Sequence, residues 1–191
     1  SSDSVLVGGS NLPNPSNSQK VSEPAVDMGG LPSGVTTDAV LIKYNDSEAV
    51  KEAVEKYGAE LAAIVVEPIM GAGGVIPAKR EFLDTIRKET KKHGIVMFCD
   101  EVISLRQAVG GAQSYYGIIP DMTTMGKIIG GGFPIGGVGG LREFMTPLSE
   151  IGNVANLGTF SANPISMCAG VAGIEALDEG TIADLNRQGD L

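Results

Sequence analysis

The sequence is poor in the residues that most often announce chemistry. Of its 191 residues none is tryptophan, one is histidine, two are cysteine, and aromatic side chains make up 5%. A lone histidine leaves little support for a Ser–His–Asp triad, and no Cys/His cluster of metal-ligand spacing can be assembled. That histidine, His93, stands just before Gly94 at the end of a predicted helix, where it complements the helix dipole. Cys99 and Cys168 lie in apolar segments far apart and read as two buried free thiols in a reducing compartment. Positive charge is scarce too: 14 Lys and Arg against 23 Asp and Glu give a net charge of −9. The lack of a basic stripe to neutralise phosphates argues against a nucleic-acid surface. No apolar run approaches a membrane span and no secretory leader opens the chain. The expectation is a cytoplasmic protein with neither nucleic-acid nor membrane partners.

Glycine, by contrast, is abundant, at 27 residues. It is densest in Asp121-Met-Thr-Thr-Met-Gly-Lys127-Ile-Ile-Gly-Gly-Gly-Phe-Pro-Ile-Gly-Gly-Val-Gly-Gly140. Lys127 falls there between a strand-like run and a loop. A lysine is a poor choice for a buried turn unless its charge is neutralised or its amine is used covalently, and flanking glycines let backbone approach whatever it touches. The amine therefore reads as one that forms a Schiff base. Two rival signatures fail: the phosphate-binding loop needs glycine where Asp121 stands and Ser or Thr where Ile128 stands, and the dinucleotide fingerprint fails at Arg142.

Periodicity places the other residues. Asn45-Asp46-Ser47 caps a predicted helix over Glu48–Tyr57, and a second helix covers Lys79–Lys92. Leu61–Val66 and Ile95–Cys99 are continuous apolar runs, as in strands buried on both faces. Short strands are also expected at Ser4–Val7, Ala39–Lys43, Met122–Met125 and Ile135–Gly140, and a short helix from about Arg142. Asn163 and Pro164 suit the N-cap and first position of a helix reaching about Leu177. Apolar strands alternating with helices imply βαβ crossovers and a mostly parallel sheet. In such sheets ligands gather beyond the carboxyl ends of the strands. Glu67, Asp100 and Lys127 all fall there.

Asp100, after an apolar run, needs a cationic partner or good hydrogen bonds. Alone it could be a helix cap or half of a structural ion pair. Paired with Lys127 in the next β unit, it suits pyridoxal 5′-phosphate: the lysine holds the aldehyde carbon and the acid holds the ring nitrogen, so that the ring withdraws electrons from a substrate carbanion. The lysine, released by the substrate amine, then acts as general base, with desolvation and neighbouring positive charge lowering its pKa. Gly158-Thr159, ahead of a helix, could meet a phosphate or simply form a capping loop.

Val66-Glu-Pro68, Cys99-Asp-Glu-Val102, Gly111-Ala-Gln-Ser-Tyr-Tyr-Gly117, Pro120 to Pro134 and Gly158-Thr-Phe-Ser-Ala-Asn-Pro164 together resemble the class III pyridoxal-phosphate-dependent aminotransferases. Within that family the sequence is most similar to glutamate-1-semialdehyde 2,1-aminomutases, and the likeness covers nearly the whole chain. The resemblance implies an α/β fold-type-I large domain, with a mostly parallel sheet flanked by helices, and a homodimer with its sites at the subunit interface. It implies Lys127 as the covalent lysine, Asp100 on the pyridine nitrogen, Val102 against the ring, and Thr159 reaching the phosphate of the neighbouring subunit's cofactor. Glu67 matches the family's Glu-Pro pair and reads as structural.

By the same resemblance, residues 1–191 form a partial large domain. The family's N-terminal segment, its phosphate loop and its C-terminal small domain fall outside them. The chain opens Ser1-Ser2-Asp3 and closes at Asp190-Leu191 straight after a helical segment, as a segment of a longer protein would. The variant Asp100-Glu-Val-Ile-Ser-Leu-Arg-Gln107 also resembles β-amino-acid aminotransferases, and Ala72 stands where ornithine- and γ-aminobutyrate-type enzymes carry glutamate. The expected activity is transfer of an amino group between adjacent carbons to give 5-aminolevulinate. The alternatives are intermolecular transamination of a β- or ω-amino acid and, from another class, a truncated fragment without catalysis. The expected substrate is a small amino acid or amino-aldehyde.

Overall fold

The computed structural model describes Val21–Ser22, residues 39–148, Gly152, Val154 and residues 158–189. The strand expected over Ser4–Val7 lies outside them. In chain order the elements are β1 (Val21–Ser22), β2 (Leu41–Ile42), α1 (Ser47–Tyr57), β3 (Ala63–Val66), β4 (Ile69–Met70), β5 (Ile76–Pro77), α2 (Arg80–His93), β6 (Val96–Asp100), α3 (Gly111–Tyr116), β7 (Met122–Gly126), β8 (Gly136–Gly140), α4 (Arg142–Met145), α5 (Pro164–Ala176) and α6 (Glu179–Gly189). They fall into two compact units, residues 1–62 with 70–95, and residues 63–69 with 96–191.

In the first unit, α1 and α2 pack together. Asp46 caps α1 by accepting from the Ala49 amide at 3.1 Å, which satisfies one of the orphan donors of the first turn. Ala49, Val50, Ala53 and Val54 recur at helical spacing and are all buried. On α2 the buried stripe is Phe82, Leu83, Ile86 and Thr90. The helix stops at Gly94, whose φ of 70° suits a left-handed cap and leaves His93 in the last turn. Asn45, itself at φ 62°, joins the two helix starts: its Nδ2 donates to the Pro77 carbonyl at 3.0 Å and its Oδ1 accepts from the Lys79 amide at 2.7 Å. A cleft of about 430 Å³ opens among Lys43–Glu48 and Lys79–Phe82. It is lined by none of the residues singled out for chemistry.

The second unit is built on a four-stranded sheet in the order β3-β6-β7-β8. β3, β6 and β7 run parallel; β8 returns antiparallel to β7, a reversal made possible by the short loop of residues 127–135. The expected mostly parallel sheet is thus present. One detail differs. Ile64 and Val66 of β3 are buried but Val65 is 66% exposed, so this run is covered on one face only and not on both. β3 is an edge strand of the described sheet, which explains why an apolar run there need not be double-sided. No helix among the described residues is long and apolar enough to cross a membrane.

Candidate active site

Successive residues of a strand point to opposite faces, and the two faces of β6 and β7 differ. On one face Met97 and Cys99 are fully buried, followed by Glu101 just past the strand. The neighbouring residue of β7 there, Thr123, donates its hydroxyl to Gln113 Oε1 at 3.3 Å. On the other face lie Phe98 and Asp100, paired in register with Met122 and Thr124, and all four are half-buried. Asp100 and Lys127 thus come from adjacent parallel strands, one at the carboxyl end of β6 and the other immediately after β7. This is the strand-end placement expected from the sequence.

Asp100 accepts one hydrogen bond, at Oδ1 from the Val102 amide at 2.9 Å. That turn brings Val102 over the end of β7. A Cβ built on Gly126 would stand 3.3 Å from Val102 Cγ1, so the residue before Lys127 has no room to spare on this side. Glu67, half-buried after β3, belongs to the same end of the sheet.

Lys127 is the first residue of a tight 3-10 turn, Lys127–Gly130. It departs from the expected buried turn in that it is exposed, so its ammonium is solvated and needs no neutralising partner. Its backbone is unusual instead: φ is 47°, a left-handed conformation that costs a residue with a Cβ roughly 1–2 kcal/mol. Strain of this kind persists where the surroundings over-determine it, often at functional positions. Here the turn is wedged against α5. A Cβ on Gly131 would collide with the Ala169 carbonyl oxygen, and one on Gly170 with the Ile129 carbonyl oxygen. The glycines after Lys127 therefore serve close backbone approach, as read from the sequence.

Thr159 is exposed in the turn of residues 158–162 ahead of α5. Asn163 caps that helix, accepting at Oδ1 from the amides of Ile165 (3.0 Å) and Ser166 (3.4 Å), with Pro164 in the first turn. Among the described residues no hydrogen bond joins Thr159 to Asp100, Val102 or Lys127. The first three site residues are gathered within the chain; the fourth is not. Cys168, expected to be buried, is exposed on α5, along with Ile165, Met167, Val171 and Ile174. An apolar sequence context signals burial only when a partner covers it. Cys99 is a buried free thiol as expected; burial first, then the charges of Glu101 and Asp100, push its pKa well above the ordinary thiol value.

Sequence reasoning missed two residues. Glu101 is 0% exposed, and its carboxylate accepts from the Ser104 hydroxyl (2.5 Å), the Ala112 amide (3.0 Å) and the Gln113 amide (2.7 Å). It caps α3 from a distance and anchors residues 104–113; Gly111 is at φ 76°, and a Cβ there would also stand 2.7 Å from Glu101 Oε1. The available signal was a second acid directly after Asp100, ahead of a glycine pair. Thr124 is the other: its Oγ1 is buried and has no hydrogen-bond partner.

The family model for class-III aminotransferases matches residues 17–189. The chain belongs to the class III aminotransferases. It is 50% identical over 153 residues to the glutamate-1-semialdehyde 2,1-aminomutase of Hyperthermus butylicus, an alignment covering 80% of this chain and 36% of that protein. Among solved structures it is similar to an omega-transaminase from Sphaerobacter thermophilus, with a TM-score of 0.81 and 36% identity over 94% of this chain and 42% of the other. A transaminase with PLP bound superposes at a TM-score of 0.82 and 32% identity, over 94% and 41% of the two chains. The chain thus spans little more than a third of the length of that curated relative.

Proposed function

We propose that this class III aminotransferase chain carries the covalent lysine of a pyridoxal-phosphate-dependent enzyme that isomerises glutamate-1-semialdehyde to 5-aminolevulinate. The observation that carries the reading is Lys127 itself, exposed and left-handed at the end of β7, one strand over from the half-buried Asp100. Identity of 50% to a glutamate-1-semialdehyde 2,1-aminomutase supports the substrate. In this reading residues 1–191 are part of a large domain whose phosphate loop and small domain lie outside them.

The residues present fit a flat, cationic ring. Asp100 has one carboxylate oxygen engaged and the other open, Val102 offers an apolar surface beside Gly126, and Thr124 keeps an unpaired hydroxyl. When bound, the cofactor supplies an electron sink for a carbanion at the substrate carbon. Asp100 holds a proton on the ring nitrogen through its charge. Val102 packs on the ring and excludes water from one side. Lys127 would hold the cofactor through Nζ and, freed by exchange with the substrate amine, would serve as a general base that moves a proton from the substrate carbon. Thr159, exposed and unengaged in its turn, meets the phosphate of a cofactor in a second copy of the chain, which makes the working form a homodimer. The family fits a small-molecule amino substrate, and the compartment we propose is the cytoplasm.

The test is an assay of the full-length protein, including the parts outside residues 1–191, with glutamate-1-semialdehyde and no keto acid. Formation of 5-aminolevulinate supports the reading; activity that requires an external keto acid overturns the isomerase assignment. That second outcome is the prediction of the one rival with a specific observation behind it, transamination of an ω- or β-amino acid, favoured by the structural likeness to an omega-transaminase and by the Ile103-Ser104-Leu105-Arg106 segment.

A further inference from the structure

β7 carries two adjacent threonines with different fates. Thr123 points to the closed face and spends its hydroxyl on Gln113. Thr124 points to the site face, and its Oγ1 is buried without a partner. A buried hydroxyl with no hydrogen bond destabilises the fold, and each one in a native structure calls for a reason. Valine would fill the same strand position with equal β preference and no orphan. The position is also specific. Thr124 is the register partner of Asp100 on the neighbouring parallel strand, so the two side chains stand side by side on one face. It precedes Lys127 by three residues and Gly126 by two. Asp100, for its part, accepts a hydrogen bond at Oδ1 only, from Val102.

We propose that Thr124 is a positioning residue for Asp100: its hydroxyl donates to the carboxylate when a cationic ring is seated, fixing the orientation in which Asp100 faces the ring nitrogen. This rests on the pyridoxal-phosphate reading above. An acid that must stay ionised against a cation is held best when its remaining lone pairs are also used, and such supporting partners tune a site without touching the ligand. The unpaired Thr124 hydroxyl and the single engaged oxygen of Asp100 leave both groups available for that bond.

The experiment uses the full-length protein, including the parts that lie outside residues 1–191, with Thr124→Val, Thr124→Ser, Asp100→Asn and the double variant Thr124→Val/Asp100→Asn. Two quantities are read: the dissociation constant for pyridoxal 5′-phosphate and the melting temperature without cofactor. Thr124→Val is expected to weaken cofactor binding roughly tenfold while leaving the cofactor-free melting temperature unchanged or higher, because an orphan is removed. Thr124→Ser should restore binding to within about twofold, and in the Asp100→Asn background the valine should have less than about a twofold effect, the non-additivity of groups acting as a unit. Wild-type affinity in Thr124→Val overturns the proposal, as does an equal loss in the Asp100→Asn background or a drop in the cofactor-free melting temperature. Wild-type protein that binds no pyridoxal phosphate overturns this and the functional reading together; binding that ignores Thr124 overturns this one alone.

Discussion

The two faces of β6 and β7 are made of alternate residues of the same strands and the residue that follows β6, yet they are finished differently. On one, Met97, Cys99 and Glu101 are buried to completion, and every polar group described there has a partner: Glu101 takes three hydrogen bonds and Thr123 gives one. On the other, Asp100 is half engaged and Thr124 has an orphaned hydroxyl, and the strand runs directly into a lysine held at φ 47°. A face built only for stability would close these gaps, since buried polar groups without partners are costly. In the proposed reading the closed side of the sheet is the scaffold and the unfinished side is the site.

Lys127→Ala breaks the contrast most severely. Catalysis should fall by at least about a thousandfold, as expected when a covalent catalytic group is lost, and borohydride should no longer fix pyridoxal phosphate to the chain, read by peptide mass. Stability should hardly move, because the side chain is exposed and contributes no ion pair among the described residues. Loss of folding with loss of activity would instead place Lys127 in the scaffold. Lys127→Gly sharpens the same point: it removes the left-handed penalty and should stabilise the chain by about 1 kcal/mol or less, the glycine's own unfolded-state entropy offsetting part of the gain.

Glu101→Ala is the mirror experiment on the closed face. It leaves the Ala112 and Gln113 amides and the Ser104 hydroxyl without their acceptor, and should cost roughly 2–4 kcal/mol in urea unfolding. Neutral behaviour would show that water replaces the carboxylate easily. The two faces also differed in how readable they were. Lys127 and Asp100 announced themselves because their chemistry is out of place after apolar runs; the helix expected over Glu48–Tyr57 from its cap and spacing is found at Ser47–Tyr57, and the one expected over Lys79–Lys92 from spacing alone at Arg80–His93. Glu101 did not, because its role is set by a helix start that lies ten residues later in sequence and only meets it in space. Thr124 was hidden for a related reason: an orphan can be recognised only when all its neighbours are placed. Cys168 and Val65 misled in the opposite direction, since an apolar neighbourhood in sequence does not say whether another element covers it.

The smallest effect belongs to Cys99, buried on the closed face. Burial, reinforced by Glu101 and Asp100, raises its pKa far above that of a thiol in the unfolded chain. The unfolded thiol therefore loses its proton first as pH rises, and deprotonation favours unfolding. The stabilising contribution is whole below about pH 8.5 and declines above it, by at most about 1.4 kcal/mol per pH unit. Urea unfolding of wild type between pH 8 and pH 10 should show that decline on top of any shared slope. Cys99→Ala will be less stable throughout because it leaves a cavity, so the comparison is of slopes and not of absolute stability: its curve should be flatter than that of wild type by up to that amount. Parallel curves for wild type and Cys99→Ala would mean that the closed face admits water to Cys99, and the distinction between a sealed face and an open face would have to be withdrawn at that position.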